Sequence, residues 1–385
     1  VRAEMSRASM DNELRAWDTI SQQAVSPSER HHENCSTVHP TDIGSQMSLQ
    51  RIDERFMRAA LLEARKGLGH ASPNPAVGAV LVHRNRIVAK AHHRQAGGPH
   101  AEVACLQNFG RAVPPDATLY VTLEPCSTTG RTGACTNTII EAGVRSVVIG
   151  TPDVNPRHRG RAIPQLLDAG VEVRIGVLAE ECARLNEAFN KWIVGRRPFV
   201  IAKCGMSLDG RLTRREGEPR WITDAVARRH AHQLRAEVDA IMIGAETLRA
   251  DNPRLTVRGI VPARQPWRVV VTRRGKLPLT ARLLSDRWAQ RTLIYRRMSL
   301  RGVLQDLGGK QVTSVLIEGG GRLLGEALDA GLIDKVQIYL GPIFTGGPVV
   351  AFAGRGVDLA KDAACLAHAD YTCLGQVVCI TGYPR

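Results

Sequence analysis

The chain has 385 residues, a hydrophobic fraction of 43% and a net charge of +15; that length exceeds one ordinary core and predicts two domains. No apolar run approaches the roughly 18 residues of a membrane helix, and the opening VRAEMSRASMDNELRAW lacks the apolar segment of a signal peptide, so the reading is a cytoplasmic protein with no membrane partner. Nine cysteines form no disulfide framework, and the scattered basic residues lack interleaved aromatics, which gives a nucleic-acid surface no support.

In chain order, residues 1–50 are polar and without sustained periodicity, and they read as a disordered extension, with Met47 a natural start. Ile52, Phe56, Ala59, Ala60 and Leu62 then predict a helix that closes at Gly67. Strands are predicted at Ala76–Val82 and Arg86–Ala91, a helix at Ala101–Phe109, a strand at Thr118–Leu123, a helix at Cys135–Gly143 and a strand at Val144–Gly150. Cys105, Cys182 and Cys204 sit among apolar neighbours and read as buried small hydrophobes. This alternation predicts an α/β sandwich around a mixed, largely buried sheet over residues 51–195.

Gly195-Arg196-Arg197-Pro198 reads as a joint. The second unit, 196–385, carries predicted strands at Phe199–Cys204, Asp239–Gly244, Trp267–Thr272, Arg291–Arg296 and Thr313–Gly321. Helices are predicted at Thr223–Glu237, with Thr223 as its N-cap, and at Arg322–Gly331. Glycines between a strand and a helix, as in Glu318-Gly319-Gly320-Gly321, suit a phosphate because backbone N–H groups can approach it.

The first unit also holds the chemistry of a catalytic zinc site. Zinc there takes three protein ligands and keeps one position for water, and His100, Cys126 and Cys135 supply that count and those atoms. Glu102 falls on the same helical turn as His100 and can serve the water without being a ligand. The pattern His-x-Glu, Pro-Cys and a second Cys matches zinc nucleobase deaminases, in which the glutamate shuttles protons.

Eight residues separate Cys126 from Cys135, whereas most zinc deaminases, those acting on tRNA included, have two between them. With this long loop, the combination of Pro73-Asn74-Pro75-Ala76-Val77-Gly78, Pro99-His100-Ala101-Glu102 and Pro125-Cys126-Ser127 through Gly130-Arg131-Thr132 to Cys135 resembles the bifunctional riboflavin-pathway deaminase–reductase family. The resemblance spans about residues 52–381. It continues in Lys203 with Ser207-Leu208-Asp209-Gly210, in Trp221-Ile222-Thr223, in Gly244–Arg258 and in Glu318-Gly319-Gly320-Gly321-Arg322-Leu323.

It implies an N-terminal cytidine-deaminase-like αβα sandwich and a C-terminal dihydrofolate-reductase-like α/β domain, one zinc ion per chain, and NADPH. The implied substrate is a small phosphoribosyl pyrimidine, deaminated first and then reduced at its ribosyl group; a homo-oligomer is left open. Asn74, His93 and Arg131 should line the deaminase pocket. Gly205, Trp221, Thr247, Asp251, Gly320, Gly321, Arg322 and Leu323 should contact NADPH, and Arg235, Leu255, Arg258 and Glu318 the reductase substrate. Three departures bear on whether both activities are kept: Thr128 replaces a usual histidine, the 153–162 loop is altered, and Pro219 replaces a small hydroxyl residue.

Overall fold

The computed structural model describes residues 40–128, 133–212, 221–262, 264–273 and 276–385, with side chains from Leu49 onward. Arg131 and Pro219 lie outside the described residues. No helix among those described is long and apolar enough to cross a membrane.

Helix α1 (Pro40–Arg65) precedes β1 (Gly78–His83), β2 (Arg86–His92), α2 (Ala101–Phe109), β3 (Thr118–Leu123), α3 (Cys135–Glu141), β4 (Ser146–Thr151), α4 (Ala162–Asp168), β5 (Glu172–Ile175), α5 (Ala179–Leu185) and α6 (Glu187–Gly195). The five strands form one sheet in the order β2-β1-β3-β4-β5. β1 pairs antiparallel with β2 and β3, while β3, β4 and β5 run parallel. Period-2 alternation divides the strand side chains between two faces. Leu81, Leu119, Val121, Val147 and Ile149 pack with Cys105 of α2, Ile139 of α3 and Leu166 of α4. Val80, Val82, Tyr120 and Val148 pack with Phe56, Met57, Ala60 and Leu61 of α1 and Cys182 of α5. The unit is therefore the expected αβα sandwich around a mixed sheet.

The register of α1 differs from the sequence expectation. Its buried residues are Phe56, Met57, Ala60, Leu61 and Ala64, and Leu62 is 65% exposed. The sheet sets this choice: Gly78 opens β1 so close to α1 that a Cβ there would strike the Ala60 carbonyl oxygen. The helix also begins at Pro40 and not at Ile52. Cys105, Cys182 and Cys204 are buried, as their apolar neighbours suggest.

The second unit continues with β6 (Phe199–Ser207), α7 (Ala225–Glu237), β7 (Ala240–Gly244), α8 (Ala245–Asp251), β8 (Trp267–Thr272), α9 (Arg282–Ser285), β9 (Thr292–Arg296), α10 (Leu300–Gly309), β10 (Ser314–Ile317), α11 (Gly321–Asp329), β11 (Lys335–Gly341), β12 (Leu366–Leu374) and β13 (Val377–Pro384). Its eight-stranded sheet has the order β12-β13-β11-β6-β10-β7-β8-β9. The six strands from β11 to β9 are parallel, and β13 and β12 add an antiparallel edge. Near-continuous apolar runs such as FVIA and AIMI suit parallel strands covered on both faces. The N-cap of α7 is Asp224, which accepts from the Ala227 N–H at 2.8 Å, and not Thr223; a carboxylate there also complements the helix dipole.

Buried Asp239 ties the two units together. Its carboxylate accepts from the Ser72 hydroxyl of the first unit, from the Thr313 N–H and hydroxyl of the second, and from Arg264. Trp192 of α6 adds an indole N–H donated to the Gly308 carbonyl at 2.9 Å. Asp239→Ala should therefore lower stability by about 3 kcal/mol, because it strands several buried donors and one guanidinium. Urea unfolding of the full chain measures this, with Ser72→Ala expected to cost about 1 kcal/mol.

Candidate active sites

The three candidate ligands come from element ends that the sheet brings together. His100 is the N-cap of α2, Cys126 follows the end of β3, and Cys135 opens α3. Their ligand atoms all lie within 4.8 Å of one another, with His100 Nδ1 at 3.2 Å from Cys135 Sγ and 3.5 Å from Cys126 Sγ. A tetrahedral ion with Zn–N near 2.0 Å and Zn–S near 2.3 Å puts such atoms roughly 3.5 Å apart. The donor set thus fits zinc in count, kind and spacing. The Cys135 N–H also donates to Cys126 Sγ at 3.3 Å, a contact that favours a thiolate. Hydrogen bonds from Cys135 and His100 hold the Cys126 thiol down at about 4, and Cys135, whose proton is engaged by Cys126, is pushed up.

Glu102 is buried beside these atoms. Burial pushes its carboxyl up to about 6, against the pull of His100. His93 is 2% exposed and so is no surface histidine. Its Nδ1–H faces the Pro99 carbonyl at 2.9 Å, which leaves Nε2 to accept from the Asn74 amide at 3.1 Å. Burial lowers its pKa, keeping the ring neutral. His93 packs edge-on against His100 at 5.2 Å between centroids. The structure thus brings Asn74, His93, His100 and Glu102 together beside the cysteines.

Sequence reasoning missed Glu124, the residue before Pro125-Cys126. It is buried, and its carboxylate accepts backbone N–H groups from Asp153, Gly160 and Ala162 at 3.1, 3.0 and 3.2 Å. That single side chain shapes the 153–162 loop beside the metal ligands. A carboxylate abutting a Pro-Cys motif was the only local signal.

The second site lies at the carboxyl ends of the parallel strands, where ligands of open α/β sheets bind. Glu318, just after β10, is buried and takes both Nε and Nη2 of Arg235 at 2.6 Å, with Lys203 at 3.8 Å. Burial alone would raise the Glu318 carboxyl; Arg235 and then Lys203 override it and hold it at about 2. Arg235 is no solvated helix face: its third contact is the Thr256 carbonyl. Leu255 is buried, with a positive φ of 48°, and exposed Arg258 donates its N–H to His232 Nδ1 at 3.2 Å. Burial and the neighbouring arginines pull His232 down to about 4.

Next to Glu318, α11 starts at Gly321 with Gly320 as its N-cap, and the Gly244 N–H donates to the Gly319 carbonyl. A Cβ at Gly321 would strike the Val350 carbonyl oxygen, and one at Gly320 would come within 3.0 Å of the Thr247 hydroxyl. This narrow backbone cradle with a free helix start fits a pyrophosphate. Leu323 is buried in the core, and its N–H already donates to the Gly320 carbonyl at 3.0 Å. Arg322 is exposed and pairs with Glu246 at 3.2 Å. Exposed Trp221 is covered by the Arg228 guanidinium at 4.6 Å, Gly205 faces Thr223, and Asp251 closes α8. Beyond the cradle, at the ends of β8 and β9, a cavity of about 640 Å³ is lined by Arg273, Arg297, Met298, Ser299 and Glu326.

Two family descriptions match: the cytidine and deoxycytidylate deaminase zinc-binding region over residues 50–151 and the RibD C-terminal domain over residues 198–374. The riboflavin biosynthesis protein RibD of Aquifex aeolicus is 36% identical, over 77% of this chain and 89% of its own. The RibD protein of Mycobacterium tuberculosis H37Rv is 41% identical over 82% and 92%. Among solved structures, RibD of Acinetobacter baumannii aligns with a TM-score of 0.79 at 34% identity, covering 87% of this chain and 99% of its own. The diaminohydroxyphosphoribosylaminopyrimidine deaminase/5-amino-6-(5-phosphoribosylamino)uracil reductase of Thermotoga maritima aligns equally well, at 0.79 and 33%. The chain belongs to the RibD family, the bifunctional riboflavin-biosynthesis enzymes that join a zinc-dependent deaminase to an NADPH-dependent reductase.

Proposed function

We propose that residues 51–195 hydrolytically deaminate a diaminopyrimidinone bearing a phosphoribosylamino group, and that residues 196–385 then reduce the ribosyl group of the resulting uracil to a ribityl chain. The observation that carries this reading is the convergence of His100, Cys126 and Cys135 with buried Glu102 at their side.

Bound zinc supplies a hydrolytic water that is reactive at neutral pH. His100 Nδ1 and the two thiolates would hold the ion. Glu102 takes one proton from the attacking water and passes it to the ring nitrogen, then carries the remaining hydroxyl proton to the amino group, which leaves as ammonia. Asn74, oriented by the neutral His93, presents its remaining amide atoms to the pyrimidinone.

In the second domain NADPH supplies the hydride. Gly320, Gly321 and Arg322 would hold its pyrophosphate on backbone N–H groups, with Leu323 packed beneath them, Thr247 at their side, and Gly205, Trp221 and Asp251 as the further contacts. Arg235 acts through Glu318: their paired geometry fixes a buried carboxylate that accepts from the substrate's N–H and hydroxyl groups. Exposed Arg258 then meets the substrate phosphate, and Leu255 packs on the ring.

Removing zinc with a chelator should abolish ammonia release and spare NADPH oxidation on the deaminated substrate, with zinc restoring the first. Loss of neither activity, or absence of both with the correct substrate, would overturn the reading. Glu102→Gln should keep zinc, by metal analysis, while slowing ammonia release by roughly 10²–10⁴-fold. We also assign the 2′-phosphate of NADPH to Arg273 and Arg297. Arg297→Ala should weaken NADPH binding about tenfold and leave NADH binding unchanged, as read by equilibrium fluorescence titration of the unreacting enzyme.

A further inference from the structure

The loop after Cys126 ends its described part at Thr128, and there it meets an imidazole from elsewhere in the chain. Thr128 Oγ1 lies 3.3 Å from His158 Nδ1. The loop that delivers His158 is built by several independent contacts. Glu124 takes the N–H groups of Asp153, Gly160 and Ala162, which anchor it at both ends. Between them, Asp153 Oδ1 accepts from the Asn155 N–H, Asn155 Oδ1 from the Arg157 N–H, and the Asn155 carbonyl from the N–H groups of His158 and Arg159. The Arg161 N–H closes the turn on the His158 carbonyl at 3.0 Å. The imidazole is therefore held from both sides of its own backbone.

A second observation points to a ligand at the same place. Ser127 Oγ, between Cys126 and Thr128, is buried and has no hydrogen-bond partner among the described residues. A native protein rarely leaves such a group unpaired; a water, an ion or a ligand completes it. His158 is half-buried, with its Nδ1 on the Thr128 hydroxyl. Where the Thr128 hydroxyl donates to Nδ1, the ring carries its proton on Nε2 and offers it as a donor. Paired with Thr128, His158 brings an imidazole to the loop that carries Cys126.

We propose that His158 is a substrate-positioning residue of the deaminase site, set by Thr128 and offering Nε2–H to the polar edge of the pyrimidinone ring. This rests on the deaminase reading above. The threonine at 128 and the altered 153–162 loop, two separate departures in sequence, are then one compensated exchange.

The test uses the full-length, zinc-loaded enzyme and compares four proteins: wild type, His158→Ala, Thr128→His and the double variant Thr128→His/His158→Ala. His158→Ala should raise the deaminase KM about tenfold, the loss of one substrate hydrogen bond, with a smaller change in kcat. Zinc content and NADPH oxidation on the deaminated substrate should stay at the wild-type level. The double variant should recover most of the lost kcat/KM, because an imidazole at 128 replaces the one removed at 158. An unchanged deaminase KM in His158→Ala overturns the inference and leaves the functional reading intact. So does loss of zinc or of reductase activity in that variant, or failure of the double variant to recover, since either outcome makes His158 merely structural. Absence of ammonia release from the wild type overturns the functional reading itself, and the inference with it.

Discussion

One buried carboxylate organises the surroundings of the metal ligands. Glu124 sits immediately before Pro125-Cys126, and its two oxygens accept three backbone N–H groups of the loop between β4 and α4. A buried carboxylate is stable only when its charge is met by donors, so the loop cannot relax away without leaving the charge unmet. Because β3 and β4 are parallel neighbours, the ends of both strands leave the sheet on the same side. Cys126 and the 153–162 loop are thereby placed face to face.

The reductase site solves a related problem with the opposite charges. The Glu318 side chain is covered too, but cations meet it: Arg235 by a two-bond fork and Lys203 by a longer contact. The fork is rigid and directional, which places a carboxylate accurately without a backbone cage. Glu318 stays ionised because the two cations outweigh its burial.

The two sites are not independent bodies joined by a slack linker. Ser72 precedes Pro73-Asn74, and its hydroxyl is held by Asp239 at the start of β7. Asn74, hydrogen-bonded to His93 in the deaminase pocket, is thus two residues from an anchor in the reductase sheet. The same carboxylate fixes Thr313 at the start of β10, the strand that leads to Glu318. Distortion at Asp239 therefore reaches both pockets through short, hydrogen-bonded segments.

Much of this was legible in the residue order. The metal donors are chemically distinctive and close in sequence, and Ala101–Phe109, Thr118–Leu123 and Trp267–Thr272 took the bounds their patterns predict. Those features depend on backbone period and side-chain chemistry, which are local. The burial of Leu61 in place of Leu62, the capping of α7 by Asp224, the fork of Arg235 on Glu318 and the meeting of Thr128 with His158 were not legible. Each depends on which face a helix turns to its sheet, or on which loops leave neighbouring strands on the same side. Sequence by itself determined which atoms could bind zinc and where glycine could admit a phosphate; the strand order decided which distant side chains would surround them.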